Sequence, residues 1–228
     1  MNLNFLTVPL TKFFYIVNGG IHTIIPNNDL SYGLAIIIFT IIVRLILLPL
    51  SVKQLRSTAK MGAIQPEMKK VQAKYKSDPQ KAQQEVMKLY KENGVNPMGG
   101  CLPMLVQMPI LFSLYYVFQN LNMHGAGFLW MQDLTKSDPI YILPILSTVT
   151  TYFSSKLMQP PSTDGAQSKQ TSTMNTGMAI FMGFMSLKFA GTLVLYWVIN
   201  NVIQIIQTVV INKIELNKKT DELVVNKK

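Results

Sequence analysis

Arg44 is the residue that most requires a chemical explanation, because it is the only charged residue between Leu30 and Val52. It lies about eight residues before the end of that apolar stretch, which is roughly 12 Å of helix. A guanidinium near the centre of a bilayer costs about 2.5–3.5 kcal/mol on insertion-based scales. Buried arginines usually find a carboxylate, yet the five apolar stretches of this chain contain no Asp or Glu. The cation must therefore be solvated by water, by neutral polar side chains, or by a group that arrives from outside.

Neutral polar side chains recur in the other apolar stretches, and helical spacing places many of them on one face. One set with a 4, 3, 4 spacing is Trp197, Asn201, Gln204 and Thr208, with Asn200 and Gln207 beside it. Further groups near the same level are Gln107, Ser147, Thr151, Ser154, Ser155, Asn175 and Thr176. Each alone is typical of hydrogen bonds between membrane helices. Together with an unpaired cation, they predict a wet, positively charged cavity that opens to the cytosol.

Composition indicates which elements position these groups. The chain has 228 residues, 49% of them apolar and only 14% charged, whereas soluble domains carry about 25% charged residues. This balance excludes an ordinary soluble domain, and the apolar content excludes intrinsic disorder. A bilayer core needs roughly 20 helical residues. We predict an all-α, polytopic membrane protein with five transmembrane helices at 30–52, 101–121, 139–158, 174–188 and 190–211.

Lysine and arginine are distributed unequally between the two sides of the predicted spans. The segments 53–99, 156–173 and 212–228 contain ten, two and five of them, and the opposite segments contain Lys12, Lys136 and Lys188. Because basic loops stay in the cytoplasm, we predict an outside N-terminus and a cytoplasmic C-terminus. The loop 159–173 and the basic tail 212–228 are then cytoplasmic. Contact with anionic lipid explains the net charge of +10 without a specific nucleic-acid sequence.

Residues 1–29 are predicted to form an extracytoplasmic amphipathic segment. The residues Phe5, Leu6, Leu10, Phe13, Phe14 and Val17 can share one helix face, as in helices that lie on a membrane surface. A signal peptide is less well matched, because only Lys12 precedes a short apolar patch that Asn18-Gly19-Gly20 ends. Whether residues 1–26 are cleaved or remain as an interfacial helix stays open.

Residues 53–99 are predicted to form a cytoplasmic antiparallel helical hairpin. The first arm has a heptad stripe made of Met61, Ile64, Met68, Val71 and Tyr75, and the second has Ala82, Val86 and Leu89. Pro66 predicts a joint near 62–65. Ser77-Asp78-Pro79 predicts a turn, an N-cap and a first-turn proline, and Gly94 can end the second helix. Ten basic residues against four acidic ones are typical either of a solvated connector or of an arm that docks a ribosome, a translocase or an incoming chain.

The other reactive residues do not indicate an enzyme, a cofactor or a metal site. Cys101 is the single cysteine, which excludes an internal disulfide and a multi-cysteine zinc site. His22 and His124 have no second histidine or acid at metal spacing, and the span hydroxyls have no adjacent base. A transporter of small molecules or ions remains the alternative use of the cavity, although no repeat or pair of broken helices supports it.

Four sequence strings resemble a known family. They are IIFTIIVRLILLPLSVKQ, NPMGGCLPMLVQMPILFSLYYVF, DPIYILPIL and LYWVINN. On these residues the chain resembles the YidC/Oxa/Alb membrane-protein insertases over about residues 30–211, as a bacterial short form without the large extracytoplasmic domain. The resemblance implies a protein of the bacterial plasma membrane that takes nascent transmembrane segments from the cytosol. They would pass through a hydrophilic, positively charged inner-leaflet groove and leave it laterally into lipid.

The resemblance also implies roles for particular residues. It implies that Arg44 is the key groove residue, with Thr40 one turn outward, Tyr141 at the start of the third span and Trp197 in the fifth. Ser155 stands where family members often carry glutamine. With the polar residues derived above, the predicted substrate groove consists of Arg44, Thr40, Gln107, Tyr141, Ser155, Trp197, Asn201 and Gln204.

The predicted partners follow from this groove and from the basic loops. Clients are nascent membrane proteins with short acidic tails, which Arg44 attracts at low dielectric. The client's apolar helix is expected to slide along the third and fifth spans into lipid, without nucleotide. Anionic lipids are further predicted partners, and the hairpin and the tail are candidate contacts for a ribosome and the Sec translocase.

Overall fold

The computed structural model describes residues 4–96, 102–121, 123, 125–159 and 166–225, with side chains at 5–96, 107–121, 123, 125–159 and 172–214. Cys101 and His124 lie outside the described residues. The described part of the chain is helical apart from its connections and one isolated bridge between Phe128 and Met131. Its helices are α1 Asn4–Ile24, α2 Asn28–Ile46, α3 Leu48–Ala63, α4 Gln65–Lys74, α5 Pro79–Glu92, α6 Leu102–Asn120, α7 Ile142–Met158, α8 Ala166–Ser186 and α9 Gly191–Val225. The all-α prediction is confirmed.

Two helices in the described part, Asn28–Ile46 and Gly191–Ile214, are long and apolar enough to cross a bilayer. Their mean hydropathies are 2.0 and 1.7. α7 contains 17 residues, slightly below the roughly 20 that an untilted span needs. The predicted number of five spans therefore stays a prediction.

Three boundaries differ from the sequence expectation. α8 begins at Ala166, inside the predicted loop 159–173, so the second half of that segment is helical. The predicted span 30–52 is divided between α2 and α3 at Leu47, because Pro49 has no N–H for the helical hydrogen-bond pattern and occupies the first turn of α3. α9 continues through Val225, well into the predicted tail, because no Gly or Pro interrupts residues 192–225.

The main core joins α1, α2, α6, α9 and the loop between α6 and α7. At its centre the Phe14 side chain is 0% exposed, with its ring centroid 5.8 Å from that of Phe39 and 6.0 Å from that of Phe118. Leu10, Phe13 and Val17 also pack against this core. The apolar face of α1 from Leu10 to Val17 is therefore covered by protein, whereas Phe5 at the start of the same face is exposed.

The loop 121–141 is fixed to the starts of α2, α7 and α9. The Gly127 N–H donates to Asp29 Oδ1 at 2.7 Å, and the Gly191 N–H donates to the Lys136 carbonyl at 2.7 Å. Gly33 leaves no room for a Cβ, because the Phe128 ring occupies that space. This loop therefore fixes where the three helices begin. The position of each helix start in turn fixes how far along the helix axis each side chain lies.

α3, α4 and α5 form a second packing unit. α4 packs against α5, and Ile64, Met68, Val86 and Val95 form its buried cluster. Asp78 caps α5 by accepting from the Lys81 N–H at 3.0 Å, and Ile64 separates α3 from α4. Gly94 adopts φ +60°, so the Val95 N–H reaches the Tyr90 carbonyl at 2.9 Å and ends the helix. The predicted cap, joint and helix end are confirmed.

Candidate functional site

The Arg44 side chain is held by the fifth predicted span. Its Nε donates to Asn200 Oδ1 at 2.6 Å, and its Nη2 donates to Gln204 Oε1 at 2.9 Å and to the Asn200 carbonyl at 3.3 Å. Asn200 and Gln204 are one turn apart on α9, so they present their amides to α2 together. The sequence allowed this cation to be solvated by water, by neutral polar side chains or by a group from outside. The structure provides neutral polar side chains.

The site carries an uncompensated positive charge among the described residues. Arg44 is only 8% exposed and Asn200 only 5%. Among the described residues, the ion pairs of Lys88 with Glu85 and of Lys136 with Asp133 do not involve Arg44. Amide oxygens satisfy hydrogen bonds without cancelling charge, so the guanidinium retains a field that acts strongly at low dielectric.

A second polar cluster joins α9 to α7. Trp197 Nε1 donates to Thr151 Oγ1 at 2.9 Å, and Asn201 Nδ2 donates to the same oxygen at 2.9 Å and to Thr150 Oγ1 at 3.3 Å. Gln204 spans both clusters, because its Nε2 contacts the Met158 sulfur while its oxygen accepts from Arg44. These bonds fix the rotation of α9 about its axis relative to α2 and α7.

Gln107 joins α6 to the same region of α9. Its Nε2 donates to the Tyr196 hydroxyl at 3.2 Å, and Tyr196 is fully buried one turn before Asn200. Tyr196 and Asn200 are not among the predicted groove residues. The spacing of Tyr196, Asn200 and Gln204 at four-residue intervals is the signal that could have found them.

Two predicted groove residues make hydrogen bonds within their own helices. Thr40 is buried and donates to the Ile36 carbonyl of its own helix at 2.6 Å, and Ser155 donates to the Thr151 carbonyl at 2.7 Å. Both hydroxyls bond the preceding turn, a local arrangement that Ser and Thr commonly adopt in helices. The structure therefore brings Arg44 together with Gln204, and Trp197 with Asn201, and leaves Thr40 and Ser155 bonded to their own helices.

Tyr141 lies apart from these clusters at the start of α7. It is 58% exposed and adopts φ 61°, a left-handed conformation that is rare for a bulky residue. The Asp138 carboxylate holds the backbone on both sides of it, accepting from the Ile140 N–H at 3.1 Å and the Leu143 N–H at 2.7 Å. Trp130 Nε1 also donates to Asp138 at 3.1 Å. The strained turn is thus a product of one buried carboxylate.

A cavity of about 220 Å³ lies between α6, α8 and α9. Its lining is almost wholly apolar or aromatic and includes Tyr115 and Tyr116 of α6, Met182 of α8, and Val194 and Trp197 of α9. Trp197 connects the two environments, because its indole N–H bonds the polar cluster while its side chain also lines the cavity. Polar and apolar surfaces therefore meet at this residue.

Metal binding has no candidate site in the described part of the chain. No group of three or more His, Cys, Asp or Glu side chains that could hold a metal ion occurs there. The chemistry available at the site is therefore that of a fixed cation, amides, hydroxyls and aromatic rings.

Apolar helices and a buried, unneutralised arginine together define a helical membrane protein with a charged polar cluster. The family described as 60Kd inner membrane protein matches residues 23–219. Membrane protein insertase YidC of Clostridium perfringens is 50% identical over 224 residues, covering 94% of this chain and 94% of the relative. YidC of Clostridium acetobutylicum is 50% identical, covering 96% and 91%. The chain belongs to this family of bacterial membrane-protein insertases.

A solved structure supports the same assignment. An active YidC insertase crystal structure with the first transmembrane domain resolved superposes with a TM-score of 0.69 at 31% identity. The match covers 91% of this chain, which spans 46% of the length of that solved chain. The resemblance found in the sequence is therefore confirmed, and the transporter alternative is not favoured.

Proposed function

We propose that this chain inserts nascent transmembrane segments into a bacterial plasma membrane through a groove centred on Arg44, and catalyses no chemical reaction. The observation that carries the proposal is the buried Arg44 guanidinium, which neutral amides hold. A fixed cation of this kind attracts an acidic segment, while the neighbouring hydroxyls and amides reduce the cost of desolvating it. The proposed groove comprises Arg44, Thr40, Gln107, Tyr141, Ser155, Trp197, Asn201 and Gln204, to which the contacts add Asn200 and Tyr196.

The proposed topology has five spans at 30–52, 101–121, 139–158, 174–188 and 190–211. The N-terminal segment 1–29 is outside, and the helical hairpin 53–99, the loop 159–173 and the tail 212–228 are cytoplasmic. The seventeen basic residues on one side against three on the other support this orientation. Arg44 then lies in the inner half of the bilayer, so a client reaches it from the cytosol.

One or two apolar side chains of the client's helix are proposed to enter the cavity between α6, α8 and α9, because its volume of about 220 Å³ is far too small for a whole helix. The sequence predicted that the client helix slides along the third and fifth spans. However, α7 and α9 are joined by the bonds of Trp197 and Asn201 to Thr151, which leaves less room between them. The apolar lining of the cavity at Tyr116, Met182 and Val194 supports a position on its side of α9. A client could leave this cavity laterally, because Tyr116 is also half-exposed.

The basic surface of α3, α4 and α5 is proposed to contact anionic lipid and, with the tail, a ribosome or the Sec translocase. At the turn between α4 and α5, the ammonium groups of Lys74 and Lys81 lie 5.3 and 5.2 Å from the Tyr75 ring centroid. The Glu85 carboxylate accepts from Lys88 at 2.7 Å, and this bond lowers the pKa of Glu85. The excess of ten basic over four acidic residues in the segment 53–99 supports contact with acidic partners.

Site-specific photo-crosslinking tests the proposed path. A crosslinker at Gln204 should capture a membrane-protein nascent chain stalled on the ribosome, because Gln204 bonds Arg44. The same crosslinker at Ile206, an exposed residue of the same helix, is the control for random contact. Capture from Gln204 no stronger than from Ile206 would refute a client path past Arg44, and insertion by reconstituted protein tests the activity itself.

A further inference from the structure

The two side-chain acceptors around Arg44 are both amides, although a carboxylate of the same shape could occupy either position. We propose that Asn200 and Gln204 are specificity-determining residues that fix the guanidinium without neutralising it, so that the groove prefers client tails with carboxylates. This inference rests on the proposed function and adds the residues that set the preference.

The hydrogen bonds decide which edge of the guanidinium is occupied. Nε and Nη2 form the edge that a carboxylate engages with two parallel bonds, and here Asn200 Oδ1 and Gln204 Oε1 already accept from those two nitrogens. The second Nη2 bond goes to the Asn200 carbonyl. Within the described residues, Nη1 makes no such bond. A client carboxylate is therefore received end-on, at Nη1, while the two amides stay in place.

The geometry of α9 separates these amides from their neighbour. Asn200 and Asn201 are adjacent in sequence, yet Asn200 accepts from α2 whereas Asn201 donates to Thr150 and Thr151 of α7. About 100° of rotation separates successive helical residues, so only one of the pair can hold Arg44. The role belongs to Asn200 and to Gln204 one turn later.

Charge explains why an amide rather than an acid suits this position. Asp at 200 or Glu at 204 would lie within 2.6 and 2.9 Å of guanidinium nitrogens and would form a buried ion pair. An opposite charge that close removes most of the field felt by a third charge a few ångströms further away. The groove would then bind an acidic tail no better than a neutral one, although its shape would be unchanged.

The test compares two clients that differ only in their tails, which carry either Asp and Glu or Asn and Gln at the same positions. Purified full-length protein is reconstituted into vesicles, and the ratio of inserted acidic-tail to neutral-tail client is measured. Wild type is expected to give a ratio above one. N200D and Q204E are expected to lower this ratio to about one, whatever their total insertion of the two clients. N200S removes the amide acceptor without adding a charge and should retain the preference, and Asn212→Asp adds the same charge at an exposed position of α9 and should retain it too.

Each outcome has a defined meaning. A preserved acidic preference in N200D and Q204E, with loss of that preference in Arg44→Ala, would overturn the inference and leave the proposed function intact. A wild-type ratio of one, with clients still inserted, would refute attraction by Arg44 and this inference with it. If N200D does not fold, as judged by its thermal unfolding in detergent, Q204E carries the same test through the neighbouring Nη2 contact.

Discussion

Arg44 Nε and Asn200 Oδ1 are 2.6 Å apart although 156 residues separate them in the chain. This bond joins the only charge in α2 beyond Asp29 to an amide of α9. It shows how a bundle can bury an arginine without a carboxylate, because amide oxygens and a carbonyl share the guanidinium donors. The cost of such burial is high, and a charge maintained at that cost suggests a role beyond packing.

Replacement of Arg44 should impair insertion according to client charge. Arg44→Ala removes the cation, and we expect about tenfold less insertion of acidic-tail clients, equivalent to about 1.4 kcal/mol. Arg44→Lys should lose only about two- to threefold, because it retains the charge but cannot bond Asn200 and Gln204 as a planar fork does. Insertion into reconstituted vesicles is the measurement. Equal activity of Arg44→Ala and wild type would exclude a role for this residue.

Thr151 should contribute to stability through the two bonds it accepts. Thr151→Val keeps the shape but leaves Trp197 Nε1 and Asn201 Nδ2 without their shared acceptor, and we expect a loss of about 1–3 kcal/mol. Thr150→Val is the matched control, because Thr150 accepts only the longer 3.3 Å bond from Asn201. Thermal unfolding in detergent measures both. A loss as large for Thr150→Val as for Thr151→Val would contradict the assignment of Thr151 as the main acceptor.

Phe14 should contribute strongly to the free energy of unfolding, although it lies near the N-terminus. Phe14→Ala empties a fully buried site between Phe39 and Phe118, and we expect a loss of about 3–5 kcal/mol. Phe5→Ala, on the same helix but 72% exposed, should cost far less in detergent. The measurement is the unfolding temperature of Phe14→Ala compared with that of Phe5→Ala. Similar values would mean that α1 does not pack into the core as described.

Local signals in the sequence predicted the helices and several of their ends. Asp78 as a cap and Gly94 as a terminator depend only on neighbouring residues, so they could be derived before the structure. The orientation of α9 could not, because the choice between Asn200 and Asn201 as the partner of Arg44 depends on packing against α2 and α7. The continuation of α9 beyond Asn212 was missed for a different reason. The tail 212–228 was predicted from its charge, although no Gly or Pro interrupts the helix as far as Val225.

Tyr141 illustrates the same limit. The sequence placed it at the start of a span, but its left-handed backbone depends on Asp138, which is itself fixed by Trp130. Such a conformation persists only where surrounding contacts determine it. The strained turn could therefore be recognised only once the loop 121–141 was seen folded.

Asp138→Asn should release this turn. The carboxylate accepts three N–H groups, from Trp130, Ile140 and Leu143, and an amide has only one oxygen to offer them. We expect a loss of about 1–3 kcal/mol, together with faster hydrogen exchange of the Leu143 amide as the first turn of α7 opens. Asp133→Asn is the control, because Asp133 bonds only nearby loop residues, chiefly Thr135. Unchanged exchange at Leu143 in Asp138→Asn would show that the loop 121–141, rather than this single carboxylate, holds Tyr141 in its left-handed conformation.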